Sequence, residues 1–271
     1  MSITRPAAVA GLFYPGTADT LQRVLHELSV RVHPDAGLGA LRPKALIVPH
    51  AGYIYSGPVA ASAYALVRPL RAVIRRVVLL GPVHRVWVDG LALPVADQFE
   101  TPLGRVPLDT EAIETLRGLP QVEVNAAAHA MEHSLEVNLP FLQDALDRFE
   151  LVPLAVGGAG PQAVAEVIER LWGGEETLVV VSSDLSHYLP HAEATRRDAE
   201  TVARILALET DLDGEEACGC HALNGLTLLA RRKGLSAHLV DLRNSGDTAG
   251  DKARVVGYAA IAFTEATHVR H

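Results

Sequence analysis

"ALIVPHAGYIYSGPVAASAYALV", residues 45–67, decides how the chain is read. Ala45 to Val48 are apolar without alternation, as in a strand covered on both faces; a half-exposed strand would alternate. Pro49 ends the run, His50 stands where the strand gives out, and Gly52 lets the backbone turn. "PVAASAYALVRPL" then continues as a helix. Strand, turn and helix in that order form half of a βαβ unit.

Working outward, the pattern recurs. "RRVVLLG", "LALPVA", "ELVPLAV" and "TLVVVSS" are further short apolar runs, and "AHLVDL" and "VVGYAAIAF" close the chain as strands. Helical spacing links Leu21, Val24, Leu25 and Leu28, with Thr17 and Asp19 available as caps. Helices are also expected over "DTEAIETLRGL", "SLEVNLPFLQDALDRF", "GPQAVAEVIERLW", "AEATRRDAETVARILAL" and "ALNGLTLLARRKG", with Pro140 starting or kinking one of them. "VHPDAGLGALRPK" (32–44) reads as a loop and "ETPLGRVPLD" (100–109) as a turn-rich excursion. The expected fold is α/β, a single domain over residues 1–271 with a central, mostly parallel or mixed sheet flanked by helices.

The bulk numbers are compatible with this. The 271 residues are 49% hydrophobic, enough for a full core. A formal net charge of -8 argues against nucleic acid as the main partner, since phosphate binding needs a basic face. The two cysteines, Cys218 and Cys220, are one residue apart, a poor spacing for a disulfide, which suits a reducing cytoplasm. No apolar run reaches the ~18 residues of a membrane span, and the N-terminus lacks a signal-peptide pattern. The expectation is a cytoplasmic protein with no membrane partner.

Ligands of open α/β sheets bind beyond the carboxyl ends of the strands. Three expected strands deliver ionisable groups there: His50 after "ALIV", His84 after "VVLLGPV", and Asp184 after "VVVSS", with His187 three residues on. Two imidazoles and a carboxylate form the donor set of non-haem Fe(II) sites with open positions, and zinc accepts the same donors. His187 suits either a ligand or a general base. In "AAHAMEHSLE" (127–136), His129 and His133 share a face if the stretch is helical. The zincin pattern fails there, because Ala130 stands where it needs glutamate. Helix capping with solvated acids is the plainer reading. "ACGCH" (217–221) lacks a second cysteine pair, so its cysteines read as the start of a helix beneath the core. The loop after "AHLVDL" could bring Asp247 or Thr248 over the same edge.

"RPAAVAGLFYPG", "VPHAGYIYSGPVAASAY", "LLGPVHRV", "EHSLEVNLPFLQ", "VVSSDLSHY", "EACG" and "VVGYAA" follow in this order across nearly the whole chain. Together they resemble the Memo family, related in fold to the LigB-type class III extradiol dioxygenases. The resemblance implies a dioxygenase-like α/β fold with a metal-capable pocket. It matches His50 and His84 to two metal-ligating histidines, Asp184 and His187 to an acid and a catalytic base, and His133 to a pocket histidine. Where animal relatives carry a ligating cysteine, this chain has Thr248, so Asp247 or Asp184 would supply the charge. The metal set is then His50, His84, Asp184 and Asp247, with His187 and His133 catalytic. The expected cofactor is a divalent metal, Fe(II) first, with copper or zinc as alternatives. The expected function is a non-haem metal-dependent oxidoreductase of dioxygenase type acting on a small molecule. The alternative is a non-enzymatic protein using the same pocket to bind metal or peptide. AMMECR-type or radical-SAM proteins are the partners the resemblance suggests.

Overall fold

The computed structural model describes residues 2–32 and 37–265. Part of the loop expected at 32–44 therefore lies outside the described residues. The strands are β1 (Thr4–Arg5), β2 (Ala45–Val48), β3 (Arg76–Pro82), β4 (Leu91–Leu93), β5 (Gln98–Thr101) and β6 (Gly104–Pro107). They continue as β7 (Val122–Val124), β8 (Glu150–Val156), β9 (Thr177–Ser182), β10 (His187–Leu189), β11 (Ser236–Asn244) and β12 (Val255–Thr264). The helices are α1 (Ala18–Val30), α2 (Tyr53–Ala65), α3 (Thr110–Glu114), α4 (Ala126–Ala130) and α5 (Leu139–Ala145). After them come α6 (Pro161–Arg170), α7 (His191–Leu206), α8 (Cys220–Lys233) and α9 (Ser245–Thr248).

The unalternating apolar runs do form the centre of the sheet. β2, β9, β3 and β8 lie side by side and parallel, and nearly every residue in them is buried. Both faces of such strands are covered, so no polar face is needed. Antiparallel strands finish the sheet: β12 pairs β2, β11 pairs β12, β10 joins the start of β12, and β4 pairs β8 with β7 beyond it. The sheet is mixed, with its parallel part in the middle.

Two sequence readings change. "ETPLGRVPLD" holds most of the hairpin β5–β6, which turns at Pro102–Leu103 into Gly104 at φ +119, and β5 pairs with β1 in a small second sheet. The helix expected over 134–149 is a short 3-10 turn followed by α5, which begins at Leu139 with Pro140 in its first turn. Proline fits there because that N–H has no partner inside the helix.

Register then places the site. Val48 lies opposite Ser182, and Leu80 opposite Val181, in parallel pairs. The segments leaving β2, β3 and β9 therefore emerge at one sheet edge and carry His50, His84 and Asp184 there.

Candidate metal centre

Three imidazoles meet at this edge. One ring nitrogen each of His50, His84 and His133 lies within 4.8 Å of the other two. The rings stand 4.6 to 5.4 Å apart between centroids. His50 is buried, His133 half-buried, and His84 is the more open of the set.

Hydrogen bonds behind the rings fix which nitrogen faces inward. The Ser182 hydroxyl donates its only proton to the Ser134 carbonyl at 2.7 Å. It accepts from Asn138 Nδ2 at 2.9 Å, and Asn138 Oδ1 in turn accepts from the Tyr64 hydroxyl at 3.0 Å. His50 Nδ1, 2.8 Å from the same Ser182 oxygen, must therefore be the donor there. Its Nε2 therefore carries the lone pair. Glu132 does the same for its two neighbours: Oε1 lies 2.9 Å from His84 Nδ1 and 3.2 Å from His133 Nδ1. An ionised carboxylate only accepts, so in both rings Nδ1 carries the proton and Nε2 is left as the lone-pair nitrogen. Such carboxylate–histidine contacts orient metal ligands and raise their basicity.

Charge is arranged consistently. Burial pushes the His50 imidazole down to about 4, so it is neutral and its lone pair available at physiological pH. Burial pulls the Glu132 carboxyl upward, but hydrogen bonds from His133 and His84 outweigh it and hold the group well below the usual carboxylate range. Glu132 also accepts from the backbone N–H groups of His84, His133 and Ser134. This buried acid is not the solvated cap expected from the sequence. Glu136 is buried too, bonded to Arg5, the Ala8 and Val9 N–H groups and the Tyr14 hydroxyl. Arg5 reaches further, to the carbonyls of His129 and Glu132 at 3.0 and 2.6 Å.

His129 and His133 do not share a helix face. α4 stops at Ala130, after which the chain changes direction. His129 Nε2 lies 2.8 Å from the Ala92 carbonyl in the core, while His133 goes to the centre. Asp184 borders the centre rather than joining the three-nitrogen set: its Oδ1 accepts from the His50 N–H at 2.8 Å, and Oδ2 lies 4.0 Å from His50 Nε2. Asp247 is elsewhere. It lies 2.6 Å from His191 Nε2 and closes the capping box of α9 by accepting from the Asn244 N–H at 3.0 Å. A carboxylate so engaged is not among the converging donors, so the metal role expected of Asp247 does not follow from its placement. His187 begins β10 opposite Val256, half-buried and outside the set. In the cluster able to hold an ion, the group beside His50 and His84 is the imidazole of His133.

Cys218 is the residue that sequence reasoning missed. Its Sγ lies 3.4 Å from His50 Nε2 and accepts from the Asp184 N–H at 3.3 Å. Burial first, and then the Asp184 carboxylate, push its thiol up to about 12, so the sulphur carries its proton and donates it to Nε2. Its motif, "EACG", overlaps "ACGCH", where the lack of a second cysteine pair argues against a metal role and hides the single sulphur beside His50.

The sequence model of the Memo-like protein family matches residues 5–262. The chain belongs to the Memo family. A MEMO1 family protein of Ignicoccus hospitalis is 38% identical over 286 residues, covering 96% of this chain and 99% of its own length. One from Aquifex aeolicus is 36% identical, with 96% and 98% covered. Among solved structures, an uncharacterized Escherichia coli K12 protein, JW3007, superposes with a TM-score of 0.50 at 17% identity. It covers 80% of this chain and 98% of its own and bears on the fold alone. As a Memo family member, this chain carries the motif histidines of its resemblance, His50, His84 and His133, in one cluster able to hold a metal ion. No helix among the described residues is long and apolar enough to cross a membrane.

Proposed function

We propose that this chain is a non-haem metal protein whose centre, held by His50, His84 and His133, serves an Fe(II)-dependent oxidation of a small organic molecule. The observation that carries the reading is the shared placement of Nδ1: in each ring it lies 2.8 to 3.2 Å from a fixed oxygen, of Ser182 or Glu132, which leaves Nε2 as the nitrogen for a metal. Rings packed only for structure need not agree in this way. Imidazole donors suit iron, copper, zinc and nickel, and three protein ligands leave further positions open. Bound Fe(II) with open positions supplies dioxygen activation beside an organic substrate.

The remaining work falls to the chain. His50 is held neutral by burial, and Glu132 keeps His84 and His133 in the ligating tautomer. His187 is the proton-transfer residue: it lies at the sheet edge, half-exposed, outside the ligand set. The backbone just after it is strained, with Tyr188 at φ +61, and strain of this kind concentrates at functional positions. Phe13, tilted against His133 with ring centroids 4.7 Å apart, also lines a groove of about 880 Å³ between α1, α2 and α9.

Anaerobic Fe(II) titration of tag-free protein tests the centre. His50→Ala and His84→Ala should abolish stoichiometric binding, and unchanged iron content in His50→Ala ends the reading. Oxygen uptake with a panel of catechols tests the chemistry. His187→Ala should keep its iron and lose turnover. Full iron loading with no uptake on any catechol would instead favour a protein that binds metal without catalysing oxidation.

A further inference from the structure

A second groove, of about 610 Å³, opens where β3 and β8 begin, at the edge of the sheet opposite the imidazoles. We propose that it binds a small amphiphilic anion, a carboxylate or phosphate on an apolar body, through the guanidinium groups of Arg75, Arg105 and Arg148. The site is separate from the metal centre. The seven residues of β3, at ~3.3 Å each, put about 23 Å of strand between Arg75 and the segment carrying His84.

The groove has an apolar lining and a cationic rim. Val106 and Leu146 are buried, and Leu103 and Phe149 half-buried, so a ligand's apolar body would cover hydrocarbon surface there. Arg75, Arg105 and Arg148 are exposed. The uncharged polar side chain of the lining, Gln143, is already committed. Its Oε1 accepts from the Thr101 hydroxyl at 2.6 Å, and its Nε2 donates to the Gly104 carbonyl at 3.3 Å. Polar recognition therefore falls to the charges.

Their balance selects the class of ligand. The acids of the lining are Asp147 and Glu150. Asp147 is paired at 2.8 Å with Arg71, which lies outside the groove, and Arg105 at 3.6 Å with Glu100, also outside. Among the described residues, neither Arg75 nor Arg148 has a carboxylate oxygen within 4.0 Å of its side-chain nitrogens. Two unpaired guanidinium groups therefore face Glu150 alone, in a chain of formal net charge -8. The backbone keeps them close: the Glu150 N–H donates to the Arg75 carbonyl at 2.8 Å, and Arg148 stands two residues before Glu150. Like charges so placed repel, and an anion between them removes the repulsion. The guanidinium fork also matches carboxylate and phosphate oxygens in pairs. A neutral or cationic ligand gains neither effect.

Isothermal titration of the metal-free full chain at low ionic strength tests the site. The probes are octanoate and octyl phosphate, with octanol and inorganic phosphate as their separate halves. At least one amphiphile should bind at least about tenfold more tightly than octanol and than inorganic phosphate, and the tighter of the two identifies the head group. Arg75→Ala and Arg148→Ala should each weaken that binding about tenfold, the usual effect of losing a charge-assisted hydrogen bond. Arg31→Ala, in the larger groove, should leave it unchanged. If wild type binds neither amphiphile, the proposal is overturned. Octanol binding as tightly as the amphiphiles removes the role of the arginines, and inorganic phosphate doing so removes that of the apolar lining; either result overturns it. Wild-type affinity in both Arg75→Ala and Arg148→Ala, or a loss in Arg31→Ala, puts the anion elsewhere and overturns it too. The wild-type titrations are decisive by themselves, so misfolding of a variant cannot rescue the proposal.

Discussion

Ser182 shows how much a single hydroxyl decides at this centre. Its one proton goes to the Ser134 carbonyl, and both of its lone pairs accept, from Asn138 and from His50 Nδ1. Ser182→Ala removes the acceptor that keeps the His50 proton on Nδ1, so the ring is free to change tautomer and lose its inward lone pair. Metal affinity should fall roughly 10- to 100-fold, the usual effect of losing such an orienting partner. Stability should fall by about 1–3 kcal/mol, because buried donors on Asn138 and His50 are left unpaired. Glu132→Gln should weaken binding similarly, since an amide cannot accept at both oxygens' places as the carboxylate does. Equilibrium dialysis with Fe(II) beside urea melts separates the two effects. Unchanged affinity in Ser182→Ala would mean that the tautomer is not set here.

At the scale of elements, the N-terminal segment is a strap. Arg5 ends β1, and the chain after it is tied down by the Glu136 carboxylate through the N–H groups of Ala8 and Val9 and the Tyr14 hydroxyl. Arg5 and Glu136 are both buried, and breaking a buried pair from one side costs about 3–5 kcal/mol because the remaining charge is stranded. Arg5→Met should destabilise by that order, and Tyr14→Phe, which removes one hydrogen bond, by about 1–2 kcal/mol. Denaturant unfolding checks both; near-equal losses would contradict the ranking. These contacts also mark where the sequence stops being readable. The ends of β2, β3 and β9 could be found because buried parallel strands announce themselves by unbroken apolar runs, and so His50, His84 and the neighbourhood of Asp184 were legible. The segments 131–136 and 217–219 have no such period. Their placement depends on contacts such as Arg5 with Glu136, more than a hundred residues apart in the chain, and on the close approach allowed by Gly219. Glu132 therefore looked solvated, and Cys218 looked like part of a helix start. Asp247 differs from expectation for the opposite reason: its local sequence suggests a loop free to swing, whereas Asn244 and His191 hold it.

Over the whole molecule, the buried imidazoles make stability depend on mild acid. His129 is buried, with Nε2 bonded to the Ala92 carbonyl and Nδ1 without a hydrogen-bond partner in the core. Burial pushes its pKa down to about 4. In the unfolded chain the same ring titrates near ~6.5. Between those values the unfolded chain holds the extra proton, so lowering the pH favours unfolding. The contribution is complete above about 6.5 and is lost as pH falls toward about 4, a change of roughly 3 kcal/mol for this one ring. His50 adds a similar dependence in the metal-free protein, since burial lowers it to about 4 as well. His129→Gln can keep the bond to Ala92 without a titrating group. Urea melts of metal-free protein at a series of pH values between about 4 and 7 should then give a shallower acid slope for the variant, by about one proton taken up on unfolding. If the two proteins lose stability in parallel over that range, His129 is not neutral in the fold, and its buried nitrogen must have found a partner.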